Sequence, residues 1–350
     1  MKILAIETSC DETAAAIIED GKTVISNVIA SSQDLHAKTG GVIPENAARE
    51  QVRSMLPVLK SALNMPTYAE VNKYIGNQAD AIAVTVGPGL IGSLIVGVET
   101  AKTLSYLTDL PIIPVNHLLG HVYANWLKKD ILPEFPLLAL VVSGGHTDLI
   151  YMQHEGKIKY IGGTRDDAAG EAFDKTARLL DLPYPGGPSI SKLSQKFIDK
   201  NPEIKLNLFP RPMVNEKNFD FSFSGLKTSV SYYLAKNKNI DKEKIAAEIQ
   251  EAIVDSLVEK SLKAIKKFCP RSFLLAGGVA ANLRLRKKFQ ARIPLSQDSG
   301  KVPQTVLHIP ELEFCTDNAA AIGAAAFYNN KKVTWQKISA NPELTIIDLI

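Results

Sequence analysis

Two hydrophobic rhythms alternate along this 350-residue chain. Asn46–Asn64 and Asp241–Phe268 carry apolar residues at helical spacing, the second with Ile245, Ile249, Ile253 and Leu257 four apart, and predict amphipathic core helices. Asp80–Val86, Pro111–Val115 and Ser272–Ala276 are short unbroken apolar runs bounded by Gly, Pro or charge, which predict buried strands. Strands alternating with helices point to an α/β protein with mixed or parallel sheets. Ala81–Val98 is uncharged over a length that would span a bilayer, but Gly87, Pro88, Gly89, Gly92 and Gly97 interrupt it. It predicts a strand, a glycine-rich bend and a helix rather than a membrane segment. The proline-rich stretch Asp181–Asp220 has no period and predicts a long irregular connection or insertion.

The same rhythm occurs twice. Ile3–Ile18 (ILAIETSCDETAAAII) and Leu137–Met152 (LLALVVSGGHTDLIYM), 134 residues apart, each show an apolar strand, a Ser, a polar turn, a Thr and a second apolar strand. Ser9 falls on Ser143 and Thr13 on Thr147. Both read as buried hairpins with hydroxyl or amide groups at the tip. Chance similarity of two hydrophobic hairpins would produce this; so would a duplicated domain.

Composition narrows the class. With 45% apolar and 22% charged residues the chain is neither disordered nor fibrous, and its length exceeds what one core usually fills, so two domains are expected. Three widely spaced cysteines, Cys10, Cys269 and Cys315, and a start without a long apolar run point to reduced thiols in the cytoplasm. The net charge of +3 does not announce a polyanion partner. Within Ser261–Gly300, however, Lys263, Lys266, Lys267, Arg271, Arg284, Arg286, Lys287, Lys288 and Arg292 face a single acid, Asp298. That segment is either a solvated helical face or a phosphate-binding patch for nucleic acid.

Residues with chemistry stand out in three groups. His117 and His121, in VNHLLGHVYAN, are four apart, which on a helix places both imidazoles on one face at metal-sharing distance, although two helical histidines without metal fit the spacing as well. The zincin motif H-E-x-x-H would need Glu where Leu118 stands, so a protease of that type is disfavoured. Asp317 offers a third ligand; taken alone it reads as the N-cap of a helix over Ala319–Ala326. Four glycine turns, at Gly87–Gly92, Val141–Thr147, Tyr184–Ser189 and Leu275–Asn282, suit the close approach of a nucleotide, yet neither a P-loop nor a dinucleotide fingerprint occurs. Acidic residues gather at Glu7, Asp11 and Glu12 and at Asp166, Asp167, Glu171 and Asp174, as bases, cation ligands or merely solvated charges.

In combination these motifs are specific. ETSCDET, GGVIPE, GPGLIGSLIVG, VNHLLGH, VVSGGHT, DDAAGEAFDK, YPGGP, FSFSGLKT, AGGVAAN and CTDNAA follow one another in a single order to about residue 328. The chain closely resembles the bacterial tRNA N6-adenosine threonylcarbamoyltransferases (TsaD), a family earlier described as O-sialoglycoprotein endopeptidases. That resemblance implies a duplicated actin-like ATPase fold of the sugar kinase, Hsp70 and actin type, two similar domains around a central cleft. It implies transfer of the threonylcarbamoyl group from L-threonylcarbamoyl-AMP to N6 of adenosine 37 in tRNAs reading ANN codons, forming t6A and releasing AMP. It also implies one Fe(2+) per subunit, zinc being the other option, bound by His117, His121 and Asp317. The adenylate would be contacted by Val141, Val142, Ser143, Gly144, Gly145, Asp174, Gly187 and Asn282, and Glu12 with Asp11 would act at the reacting centre. Helper proteins TsaB and TsaE are implied as partners, and no membrane.

On this reading residues 1–114 form the first domain, completed by a helix near 317–328, and 115–316 the second, with an irregular insertion near 181–220 and a tail at 329–350. Leu119 and Ala321 depart from the family pattern, where Glu and Met are common, without removing a ligand. Ala291–His308 looks longer than usual, and Val333–Ile350 matches no familiar segment. Two other classes compete: a metal-dependent glycoprotease, and a non-catalytic actin-like nucleotide-binding scaffold. The absent zincin Glu and the nucleotide-like turns argue against the first; the retained His117, His121 and Asp317 argue against the second.

Overall fold

The computed structural model describes residues 1–67, 71–293 and 305–348. The chain forms β1 (Lys2–Glu7), β2 (Glu12–Glu19), β3 (Thr23–Ser31), α1 (Gln33–Thr39), α2 (Pro44–Ala62), α3 (Val71–Gln78), β4 (Ala81–Gly87), α4 (Ile91–Thr108), β5 (Ile112–Asn116) and α5 (His117–Tyr123). It continues with β6 (Leu137–Val142), β7 (Thr147–Met152), β8 (Ile158–Gly163), α6 (Ala169–Leu179), α7 (Gly186–Lys200), α8 (Ser224–Lys236), α9 (Lys242–Phe268), β9 (Ser272–Ala276), α10 (Leu283–Gln290), β10 (Val306–His308) and α11 (Ala319–Tyr328). It divides into two compact units, Met1–Pro133 with Pro310–Ile350, and Glu134–Ile309.

Unit 1 holds a five-stranded sheet of order β3-β2-β1-β4-β5. β1 and β4 run parallel at its centre, and Ile3, Leu4, Ala5 and Ile6 are fully buried because helices cover both faces. Unit 2 repeats the plan: β8-β7-β6-β9-β10, with β6, β9 and β10 parallel. The duplication extends to register. Ile3 pairs with Ile18 in the first hairpin and Leu137 with Met152 in the second, both partners displaced by the 134 residues seen in the sequence.

The predicted helices and strands are present with ends moved by a residue or two. The boundaries between units differ more. The first unit runs to Pro133 rather than 114 and regains the chain at Pro310 rather than 317. The cause is aromatic packing: the Tyr123 ring of α5 stacks on Tyr328 of α11 at 5.2 Å, and Trp126 lies 5.6 Å from the same ring. The tail belongs to this unit too, since Val333 bridges to Ile112 and the Asn341 N–H donates to the Val86 carbonyl at 2.7 Å. Asp181–Asp220 is not wholly irregular. Within it α7 runs for 15 residues, burying Ile190, Ser194 and Phe197 at helical spacing, a short period hidden among the prolines. Most of the Ala291–His308 connection, together with Asp298, lies outside the described residues.

Candidate metal centre and nucleotide cradle

In unit 1, β5 ends at Asn116, whose side chain caps α5 by accepting from the Leu118 N–H at 3.0 Å. The helix therefore begins with His117, and one turn later His121 lies beneath it, ring centroids 4.6 Å apart. Asp317 reaches the pair from the loop before α11: its Oδ1 is 3.6 Å from His117 Nε2 and 3.3 Å from His121 Nε2. Asp317 is not the helix cap. That role falls to Asn318, which accepts from the Ala321 N–H at 2.9 Å and leaves the neighbouring carboxylate for other work.

One ligand atom from each of the three residues lies within 4.8 Å of the others. His121 Nε2 is buried and has no hydrogen-bond partner among the described residues. A lone pair taken out of water without a partner is costly, and a cation removes that cost, so the donor set fits a divalent metal.

A second layer fixes the first. Glu7, at the end of β1, is 1% exposed, and its Oε2 is 3.2 Å from His117 Nδ1 and accepts from Thr85 Oγ1 at 2.5 Å. The Ser9 N–H donates to its other oxygen at 2.5 Å, and Ser9 Oγ is 3.1 Å from the same imidazole nitrogen. Burial works to raise the Glu7 carboxyl, but the adjoining His117 outweighs it and holds the group below the usual carboxylate range. For His117 burial opposes the charged ring, while Glu7 and Asp317 together push it up to about 9. With no cation the ring is thus held protonated between two carboxyls; a metal taking the place of the Nε2 proton would leave the Nδ1 proton facing Glu7.

The β1–β2 turn carries Asp11 and Glu12 beside this cluster. Burial raises Asp11, with Asp317 adding to the effect. Burial and then the Asp11 charge push Glu12 up to about 8. Glu12 Oε1 accepts from Ser31 Oγ at 2.9 Å; its Oε2 is buried with no hydrogen-bond partner among the described residues. Gln51 of α2 secures the turn, its amide donating to the carbonyls of Cys10 at 2.9 Å and Glu12 at 3.0 Å.

Unit 2 gathers three glycine turns. Val142 ends β6, and the turn Ser143–His146 is closed by the Ser143 N–H donating to the His146 carbonyl at 2.9 Å. Val141 and Val142 are fully buried, whereas Gly144 and Gly145 are exposed with no atom within 4 Å of where a Cβ would stand. Gly277, at φ +88°, lies against β6 so closely that a Cβ would meet the Val142 carbonyl oxygen at 2.4 Å. The start of α7 packs on α6: the Gly186 N–H donates to Asp174 Oδ1 at 2.7 Å, while Gly187 has open space where a Cβ would stand. Burial raises Asp174 despite that bond. Asn282 has a structural task, capping α10 through the Leu285 N–H and donating to Ser191 Oγ and Gln250 Oε1, each at 2.9 Å.

Comparison with known proteins gives this geometry a family. The sequence model of TsaD, tRNA N6-adenosine threonylcarbamoyltransferase, matches residues 23–324. Relatives of that name in Geobacillus thermodenitrificans and Halalkalibacterium halodurans are 47% and 48% identical, covering 99% and 97% of this chain and 97% and 94% of their own. The chain belongs to the TsaD family. Among solved structures, full-length HypF aligns with a TM-score of 0.58 at 12% identity, over 94% of this chain and 55% of that one. Component A of the Acidaminococcus fermentans (R)-2-hydroxyglutaryl-CoA dehydratase aligns with 0.51 at 14%, over 94% and 98%. At such identities the likeness shows the fold alone, that of the actin-like ATPases.

Against this TsaD framework, the structure brings His117, His121 and Asp317 together in unit 1, and Val142, Ser143, Gly144, Gly145, Asp174 and Gly187 around the turns of unit 2. The fourth glycine turn lies in unit 1. Gly87 and Gly89 belong to unit 1 and serve packing, since a Cβ at Gly89 would meet the Ser9 carbonyl oxygen at 2.5 Å and one at Gly87 the Asn341 carbonyl oxygen at 1.8 Å. Sequence reasoning missed Thr85 and Gln51. Each left a trace: Thr85 is a polar residue inside the apolar run DAIAVTV, and Gln51 occupies a buried helical position between Ala47 and Met55. None of the three cysteines is bonded to another. No described helix is long and apolar enough to cross a membrane.

Proposed function

We propose that this protein transfers the threonylcarbamoyl group of L-threonylcarbamoyl-AMP to N6 of adenosine 37 in ANN-decoding tRNA in the cytoplasm, yielding t6A and AMP. The observation that carries the reading is the three-donor cluster, its ligand atoms within 4.8 Å of one another, in a chain of the TsaD family. His117, His121 and Asp317 would hold one divalent ion per subunit, Fe(II) as the family implies or zinc. When bound, that ion supplies Lewis acidity toward the oxygens of the mixed anhydride.

The chain's own groups divide the remaining work. Gly144, Gly145 and Gly187 leave room for the backbone to approach the AMP moiety, with Val141, Val142 and Ser143 shaping the turn. The Asp174 carboxyl, seated where α7 begins, repels phosphate and suits ribose hydroxyls. Asn282, held by Ser191 and Gln250 at the start of α10, would contact the adenylate from that position. The exocyclic amine of adenine attacks the carbamoyl carbon, the C–O bond to phosphate breaks, and AMP leaves with that electron pair. Glu12 Oε2 takes the amine proton, while burial, with the Asp11 charge adding to it, holds Glu12 near the working pH. An anticodon-loop base can be splayed out without melting a helix.

The test is direct. Purified protein with L-threonylcarbamoyl-AMP, helper proteins TsaB and TsaE and an ANN-decoding tRNA should give threonylcarbamoyladenosine by mass spectrometry of digested tRNA. Absence of product with every helper set overturns the reading. His117→Ala should lose bound metal and activity while keeping its circular dichroism spectrum; normal metal content in that variant would show the ligand assignment to be wrong.

A further inference from the structure

The structure assigns Ser31 as the positioning residue for Glu12: its hydroxyl ties down one carboxyl oxygen and so dedicates the other to the proton that leaves adenine. This rests on the reading of Glu12 as the proton acceptor. Glu12 opens β2 directly opposite Ser31, the last residue of β3, in antiparallel register. Paired residues project to the same side of a sheet, which brings the two side chains together. Ser31 Oγ accepts from the Gln33 N–H at the start of α1 at 3.2 Å and donates to Glu12 Oε1 at 2.9 Å. With a lone pair of Oγ engaged by Gln33, the hydroxyl hydrogen is directed at the carboxyl.

The two oxygens of Glu12 therefore differ. Oε1 has a fixed donor, while Oε2 is buried without a partner among the described residues. The main chain at Glu12 does not need Ser31 for its place, because Gln51 holds the Glu12 carbonyl and Ser32 Oγ donates to the Asp11 carbonyl at 2.8 Å. Loss of the Ser31 hydroxyl would free the carboxyl to turn but leave the loop in position. Ser31 is exposed and lines a cavity of about 260 Å³ with Thr13, Ser32, Glu50 and Ser54.

The electrostatics give the proposal a signature. Burial, Asp11, Asp317 and Glu7 all raise Glu12, and the Ser31 hydrogen bond opposes them. From α1, His36 acts on Asp11; from α2, Glu50 stands in the cavity wall, paired with Arg53. A base works once deprotonated, so kcat/KM should climb as pH rises through the Glu12 titration. Removing the Ser31 donor raises Glu12 further and moves that climb to higher pH.

The experiment measures transfer to tRNA from pH 6 to 9.5 for wild type, Ser31→Ala, and the near-isosteric pair Ser31→Thr and Ser31→Val, with helical content checked by circular dichroism. Ser31→Ala and Ser31→Val should shift the ascending limb by about 0.5–1 pH unit and lower kcat roughly 3- to 10-fold at pH 7.5, with KM for tRNA unchanged. Ser31→Thr should restore the wild-type limb. Wild-type profiles in both Ala and Val variants, or a Thr variant displaced as far as Val, overturn the inference. Loss of all product in the wild type instead overturns the function itself, and full activity in Glu12→Gln overturns the proton acceptor; both are separable from the Ser31 result.

Discussion

Glu7 shows how little a residue's letter says of its work. In the sequence it stands with Asp11 and Glu12 as one acidic cluster, but the three side chains take different duties. Glu7 is fully enclosed, and a buried carboxylate persists only where donors and a cation meet it. Ser9, Thr85 and His117 do so, and two of these lie 78 and 110 residues away in the chain. No spacing rule could have named Thr85, because the contact exists only once β4 lies beside β1. If Glu7 sets the tautomer of His117, then Glu7→Gln, which keeps shape but loses the anion, should weaken metal binding about 10- to 100-fold. Competition against a chromophoric chelator measures this, and unchanged affinity would mean that the ring is oriented by packing alone.

At the level of elements, the sequence was most legible where a pattern is local and repeated. The long helix α9 follows from its apolar spacing of four, and the strands β4, β5 and β9 and the paired hairpins from unbroken apolar runs, because burial on a helical face or on both faces of a sheet imposes each pattern directly. It was least legible in α7, whose start is fixed by a carboxylate on another helix, and in the glycine turns, which share a composition but not a purpose. Within one dipeptide the purposes split. A Cβ on Gly186 would lie 2.6 Å from the Asp174 Cα, whereas one on Gly187 meets nothing. Gly186→Ala should therefore cost about 1–3 kcal/mol, seen as a lowered melting temperature. Gly187→Ala should melt at or above the wild-type temperature yet bind AMP at least about fivefold more weakly by calorimetry, the signature of a cradle filled by its own side chain. Equal AMP affinity in the Gly187 variant would remove that turn from the nucleotide site.

For the whole molecule, the net charge of +3 and the basic run between residues 263 and 292 pull in different directions until the helices are placed. Arg284 and Lys288 on α10, and Arg292 just beyond it, are four apart, and they meet Glu251, Asp255 and Glu259 at the same interval on α9. Lys263 donates to the Val214 carbonyl and Arg271 pairs with Glu134. Much of the apparent patch is thus an internal charge seam, and cations already paired release few counterions from RNA. Lys266, Lys267 and Lys287 remain exposed without an acidic partner among the described residues, Lys267 lying over the Phe219 and Phe268 rings at 5.2 and 5.6 Å. Lys263 is exposed as well, but its ammonium is tied to a carbonyl, so these three are the cations of the segment most open to tRNA phosphates. Replacing all three with Ala should reduce the slope of log affinity against log salt by about 2–3, measured by filter binding of tRNA at several ionic strengths. Arg292→Ala should leave the slope alone and change stability by only a few tenths of a kcal/mol, as expected for an exposed pair. A triple variant with the wild-type slope would place the RNA contacts elsewhere on the protein and leave the segment as structure alone.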